Sequence, residues 1–336
     1  MELTGLPPIS SPMPWHAQEW THLQRQLAIE QLPHALLLVG GQSTGKSQFA
    51  LALARSLLCS ATEGSFNCGR CRACELSASG SHGDFLWVQP MENSRVIKID
   101  QIRDTVRFIN KTAGFGLRKV IVIAPIESMN INASNALLKS LEEPANNTYL
   151  LLVCNRLFSV PATIRSRCQI LRFGIPPREA CLDWLDITTG NRDQSRHVLE
   201  LADGLPMLGH QLFCRDRGEE FEARCLGLKA LFGGDSTSTQ PTIVWSEVDI
   251  DMFLDQFTLE MQKLLESLSL NQLKTNRGKS FFRILDDIAR LQSAIGAGAN
   301  LNKQLVMESL LSKLRKLLGS ASHGDNIQTQ IDGIRI

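Results

Sequence analysis

Two groups of residues near the start of the chain have the types and spacing for chemistry. Gly40-Gly41-Gln42-Ser43-Thr44-Gly45-Lys46-Ser47 fits the pattern G-x-x-x-x-G-K-[ST]. In such a loop glycines let backbone N–H groups wrap a phosphate chain, the lysine reaches the outer phosphates, the hydroxyl serves Mg²⁺, and a following helix aims its N-terminus at the anion. Gly40, Gly45, Lys46 and Ser47 are therefore candidate nucleotide-binding residues. A glycine-rich turn that binds nothing shares the outline, so the pattern favours phosphate binding but leaves ATP or ADP occupancy open. The second group is Cys59, Cys68, Cys71 and Cys74, spaced C-x8-C-x2-C-x2-C. Four thiolates can enclose Zn²⁺ tetrahedrally, the C-x2-C steps turn adjacent ligands onto one ion, and Gly69 relieves the tight turn. Arg70 and Arg72 could partly offset the charge of −2 on such a site. The polar neighbours Asn67, Gly69, Arg70 and Arg72 argue against four cysteines of an apolar core. His82 could replace one ligand, although eight residues beyond Cys74 it reads more simply as a loop residue. Four protein thiolates leave no open position on the ion, so the expectation is a structural site, not a catalytic one.

Phosphate binding is not hydrolysis. An ATPase of this kind also needs an acid at the end of a neighbouring strand to hold Mg²⁺, and usually a second one to position water. Lys119-Val120-Ile121-Val122-Ile123 is the strand in question, and it runs into Ala124-Pro125, a methyl group and a ring where carboxylates would stand. Glu127, the nearest acid, comes two or three residues too late. The expectation is a site that does not hydrolyse ATP.

These groups need a scaffold, and the first half of the chain supplies the pattern of one. Short apolar runs alternate with amphipathic segments, the signature of a parallel sheet covered by helices. Strands are expected at His34–Val39, Asp84–Gln89, Lys119–Ala124 and Tyr149–Cys154. The phosphate loop follows the first of these and precedes a helical run over Gln48–Leu58. Asp100–Lys111 repeats Ile102, Val106 and Ile109 at helical spacing. A helix from about Asn132 to Glu142 is stopped by Pro144, which excludes the α conformation from the residue before it. Gly174–Pro177 reads as a hinge and Arg178–Pro206 as a small helical unit. From Met207 the pattern is helical, with Phe253, Phe257, Met261, Leu264 and Leu268 on one face and Val306, Leu310, Leu314 and Leu317 on another. The expected division is 1–174 with the cysteine module inserted at 59–74, 175–206, 207–320, and a tail at 321–336 without periodic pattern. Gly233–Pro241 reads as a mobile loop.

Composition narrows the function classes. The chain has 336 residues, 43% of them hydrophobic, enough for real cores. With 35 Lys+Arg against 34 Asp+Glu the formal charge is +1, so no global field draws it to DNA or an anionic membrane. Ala35–Val39 and Leu150–Cys154 are among the longest apolar runs and fall far short of the ~18 residues of a membrane span. The N-terminus does not read as a secretion signal. Nine cysteines, four of them crowded together, suit a reduced cytoplasm better than a disulfide framework. Cys154, Cys168, Cys181, Cys214 and Cys225 read as small apolar residues.

The order of phosphate loop, cysteine module, Leu137-Leu138-Lys139-Ser140-Leu141-Glu142-Glu143-Pro144 and Ser166-Arg167-Cys168 resembles the clamp-loader subunits of bacterial DNA polymerase III, which are AAA+ proteins. The resemblance spans essentially the whole chain. It implies an α/β AAA+ fold, a RecA-like parallel sheet with helices on both faces, then a small helical lid and an all-α collar domain. Three departures side with the family's non-motor members: the missing acids at Ala124-Pro125, Leu205-Pro206 in place of a sensor arginine in Ala202-Asp203-Gly204-Leu205-Pro206, and Cys154-Asn155 where motors usually carry threonines. By resemblance Arg167, flanked by Ser166 and Cys168, is an arginine finger acting in trans on a neighbouring subunit's ATP. The implied partners are a delta subunit and gamma/tau ATPase subunits in a five-subunit ring, the beta sliding clamp, and primed DNA through the assembled complex. Two competing readings are an active motor subunit, which acids at 124 and 125 would have marked, and an unrelated zinc-stabilised nucleic-acid module, which the near-neutral charge disfavours.

Overall fold

A computed structural model describes residues 4–61, 66–91, 94–115, 118–214, 222–223, 226, 228, 250–296, 299 and 301–319. The chain divides into two compact units, Met1–Arg215 with Gly296–Gly298, and Asp216–Ile295 with Ala299–Ile336.

The first unit is built on a parallel sheet of β1 (Ala35–Val39), β2 (Phe85–Val88), β3 (Lys119–Ile123), β4 (Thr148–Cys154) and β5 (Gln169–Arg172), in the spatial order β2-β3-β4-β1-β5. Every residue of β1 and β3 is buried, because helices cover both faces and a parallel sheet so covered needs apolar side chains at successive positions. The alternation of strand side chains divides this burial between two cores. Leu37, Val39, Ile121, Ile123, Leu150 and Leu152 face α4 (Ile99–Asn110) and α5 (Ile131–Glu142), meeting Ile102, Ile109, Leu137 and Leu141. Leu36, Leu38, Val120, Val122, Leu151 and Val153 face α1 (Ala17–Ala28) and α2 (Lys46–Leu58), meeting Trp20, Leu23, Phe49, Leu53 and Leu57.

The four expected strands are present to within a residue or so at each end, and β5 is an addition. As an edge strand it has exposed or half-buried positions throughout and lacks the continuous apolar run that marks the central strands. The sequence reading also lacked α1, which fully buries only Trp20 and Leu23, packs Leu27 at the core's edge and is otherwise mostly polar. α5 starts where Asn130 caps it, its side chain accepting from the Ala133 N–H at 2.8 Å. It ends at Glu142, as Pro144 requires. α6 (Ala162–Arg165) is a single turn that leads through Ser166-Arg167-Cys168 into β5.

α7 (Arg178–Thr189), α8 (Arg192–Leu201) and α9 (Pro206–Cys214) pack together and complete the first unit. α9, which begins at the expected 206/207 boundary, packs on both α7 and α8. The division lies at 215/216, because α9 buries Leu212, and the Met207 N–H donates to the Ser43 carbonyl at 3.2 Å. The second unit is helical where described: α10 (Ile250–Ser267), α11 (Leu270–Lys274), α12 (Asn276–Gly296) and α13 (Lys303–Gly319). Its core joins Phe253, Phe257 and Met261 to Ile284, Ile288, Val306, Leu310 and Leu314, with Leu264, Leu268 and Leu317 packed at its edge. The loop at 233–241, the tail at 321–336 and Cys225 lie outside the described residues. Among the described residues no helix is long and apolar enough to cross a membrane.

Candidate nucleotide and metal sites

The phosphate loop joins β1 to α2. Gly45 caps α2 with φ of 95°, a left-handed conformation that favours glycine, and a Cβ there would stand 2.6 Å from Met13 Cγ. Lys46 and Ser47 open the helix, so the N–H groups of its first turn face the loop. Lys46 is buried, and its ammonium donates to the Gly41 carbonyl, which also accepts from Thr44 Oγ1 at 2.9 Å. Burial lowers the Lys46 pKa from 10.5 to about 8, outweighing the opposite pull of Glu127 and Cys154.

Residues before α1 brace the same loop. Trp15 Nε1 donates to the Thr44 carbonyl at 2.8 Å and stacks edge-on against Trp184 of α7. His16 is buried, its ring edge-on to Phe49 and to Phe173, with both nitrogens unpartnered. Sequence reasoning missed these contacts; the run Met13-Pro14-Trp15-His16 was a signal only in retrospect, since nothing local says that it folds back onto residues 43–46.

β3 ends as the sequence implies, with Ala124 buried beside the end of β2, its N–H donating to the Val88 carbonyl at 2.9 Å. Glu127, however, is closer to the loop than its delay along the chain suggested. The 3-10 turn Ile126–Ser128 brings its carboxylate near Lys46, and Oε1 accepts from the Asn155 N–H at 3.0 Å at the end of β4, while Oε2 is buried and unpartnered. Burial raises its pKa above the ordinary carboxylate value although Lys46 and Arg156 oppose this.

The four cysteines converge. Their Sγ atoms all lie within 4.8 Å of one another, with Cys59 to Cys71 at 3.9 Å and Cys68 to Cys74 at 4.0 Å. A tetrahedral site with Zn–S near 2.3 Å has sulfur–sulfur edges of about 3.8 Å, so the donor set fits zinc. The Cys68 N–H donates to Cys59 Sγ at 3.3 Å and the Cys71 N–H to Cys68 Sγ at 3.4 Å, bonds that stabilise thiolates. The cluster is placed by the C-terminal end of α2, which delivers Cys59, and by α3 (Arg72–Ala78), which carries Cys74. His82 is buried and its Nδ1 accepts from the Asp84 N–H at 3.1 Å; it is not part of the metal-binding group.

Arg167 stands at the surface just before β5. Its Nε donates to Glu142 Oε1 at 2.6 Å, Nη1 donates to the Thr163 carbonyl at 2.8 Å, and Nη2 pairs with the same carboxylate. The two motifs that carry the resemblance, at 137–144 and 166–168, therefore touch through this ion pair. Ser166 Oγ donates to the Thr163 carbonyl at 3.2 Å, and half-buried Cys168 packs against the core under α5.

A five-stranded parallel sheet clothed on both faces, with the phosphate loop at the end of a central strand and helices α7–α9 beside it, is the architecture of an AAA+ protein. The profile of the family described as "DNA polymerase III, delta subunit" matches residues 15–176. Over 328 residues the chain is 31% identical to DNA polymerase III subunit delta' of Pseudomonas aeruginosa, covering 91% of this chain and 98% of that protein. It is 30% identical to subunit delta' of Yersinia pestis over 82% of this chain and 80% of that protein. A gamma subunit-related protein of Thermotoga maritima is similar in structure at 18% identity, with a TM-score of 0.46 over 89% of this chain and 99% of that one. The chain belongs to the delta' family of DNA polymerase III subunits.

Proposed function

We propose that this chain is the non-hydrolysing stator of a clamp loader, which lends Arg167 to the ATP site of a neighbouring subunit. The observation that carries the reading is the pairing of a surface guanidinium in Ser166-Arg167-Cys168 with a β3 that ends in Ala124-Pro125: a group suited to act outward, and no strand-end acid to act inward. A planar guanidinium placed on a γ-phosphate stabilises the charge that spreads over it in the transition state, an effect of about 10³–10⁵ in rate for such fingers. To reach it, Arg167 leaves Glu142, a partly exposed pair of small net worth.

In this reading the chain joins delta and gamma/tau ATPase subunits in a five-subunit ring in the cytoplasm, and the ring opens the beta sliding clamp and places it on primed DNA. Its part in the DNA polymerase III holoenzyme is architectural. Residues 1–174 are the AAA+ domain, 175–206 begin the lid, and the second unit is the collar. Zn²⁺ held by Cys59, Cys68, Cys71 and Cys74 stabilises the fold. The intact phosphate loop, with Glu127 within electrostatic reach of Lys46, is what favours an active motor instead.

The deciding experiment measures DNA- and clamp-stimulated ATP turnover by a ring reconstituted with partner subunits. Arg167→Ala is expected to cut turnover strongly and Lys46→Ala to change it little. If Lys46→Ala is the damaging change, this subunit hydrolyses ATP itself and the stator reading fails.

A further inference from the structure

One arginine interrupts the apolar interior of α2. Arg55 is 1% exposed. Its Nε donates to Ser77 Oγ at 3.1 Å, Nη1 to the Pro7 carbonyl at 2.6 Å and Ser10 Oγ at 2.7 Å, and Nη2 to the carbonyls of Pro8 at 2.9 Å and Cys74 at 3.3 Å. All of these acceptors are neutral, and no carboxylate pairs with Arg55 among the described residues. A permanent cation withdrawn from water is strongly disfavoured without an opposite charge nearby. The adjacent group able to supply one is the cysteine cluster: four thiolates around a divalent ion carry −2, and Arg55 is held next to it through the backbone carbonyl of Cys74, itself a cluster member.

Asn67 ties together the same parts. It is 1% exposed, its Nδ2 donates to Cys74 Sγ at 3.3 Å and the Pro8 carbonyl at 2.8 Å, and its Oδ1 accepts from the Ser10 N–H at 2.9 Å. Gly69, with φ of 72°, lets the cysteine loop approach the backbone of Pro8, to which a Cβ would come within 3.2 Å. The Leu6 N–H donates to the Ala78 carbonyl at 3.2 Å at the end of α3. The N-terminal segment is thus seated on the cysteine module, a few residues ahead of Met13, Trp15 and His16 on the phosphate loop.

We propose that Arg55 is the counter-charge of the metal–tetrathiolate centre and Asn67 a hydrogen-bond donor to its Cys74 sulfur, and that metal loading through these two side chains fastens segment 6–10 to the module. The inference rests on the zinc reading of the four cysteines. It assigns Arg55 and Asn67 a positioning role toward the metal and makes the N-terminal segment a sensor of metal occupancy.

The test uses the full chain. Zinc content and zinc transfer to a competing chelator are measured for unmodified protein, Arg55→Met and Asn67→Ala, and hydrogen exchange is followed before and after zinc removal. Each substitution is expected to weaken zinc retention about 10–100-fold, the usual effect of residues that support metal ligands. Zinc removal is expected to speed exchange at the amides of Leu6, Ile9 and Ser10 while those of β1 and β4 stay protected. Should Arg55→Met fail to fold, Asn67→Ala and exchange in the unmodified chain decide the matter. Equal zinc retention by the folded variants overturns the proposal, as does segment exchange that ignores zinc or a general loss of protection across β1 and β4. Unmodified protein without zinc would sink the zinc reading itself, an outcome visible before any substitution is made.

Discussion

His16 lies beneath the phosphate loop as a neutral ring, because burial first and the Lys46 charge second lower its pKa from 6.5 to about 4. The unfolded chain binds a proton at His16 that the folded chain refuses between those two values. Stability from this group is therefore complete above about 6.5 and is lost progressively as the pH falls toward 4. His16→Phe, which suits a site walled by Phe49, Phe173 and Trp15, is expected to flatten that limb, read as a smaller difference between denaturation midpoints at pH 5 and pH 7.5. Arg167 gives a different residue-scale prediction. Its ion pair with Glu142 is partly exposed, so Arg167→Ala should change folding stability by no more than about 1 kcal/mol. A thermal midpoint near that of the unmodified chain, beside a large loss of turnover in the ring, would separate an outward-acting group from a structural one. Arg167→Lys should not restore turnover, since a point-charge ammonium lacks the planar fork.

At the scale of elements, the central strands and α5 set the positions on which the site depends. Leu152 is fully buried in β4, between β1 and β3, so Leu152→Ala should cost about 2–5 kcal/mol in denaturant unfolding. Asn130 satisfies a donor at the start of α5, and Asn130→Ala should cost about 1 kcal/mol by the same measurement. These central elements were legible in the sequence because burial on both faces demands unbroken apolar runs, and because Pro144 fixes where α5 must stop. β5 and α1 were not legible for the converse reason: each buries few of its side chains, and a half-exposed edge strand or a mostly polar helix has little periodic signal. The pattern of α9 says that it is a helix, not which helices it packs on.

For the whole molecule, the division into two units predicts that loss of the metal is a local event. The cysteine module belongs to the first unit, and the second has its own core around Phe253, Phe257 and Leu310. Cys68→Ser should lower zinc content and destabilise the first unit, because an incomplete thiolate set holds the ion poorly. Calorimetry of the full chain should then show the first unit's transition moving to lower temperature while that of the second is unchanged; parallel shifts of both would mean that the units unfold as one.

The sequence alone determined the chemistry on offer: the phosphate loop, the four convergent cysteines, the missing acids after β3 and the S-R-C arginine are all local patterns, since each depends on residue types a few positions apart. Arg55 carried a signal too, as a charge inside the apolar run Leu51–Leu58, but its meaning lay in residues 7–10, 67 and 74, which only the fold brings to it. Tertiary structure likewise decided that Glu127 lies within electrostatic reach of Lys46, that Trp15 and His16 brace the loop, and that Arg167 rests on Glu142. Contacts between distant segments are set by the packing of whole elements, and a pattern read along the chain carries no record of that packing.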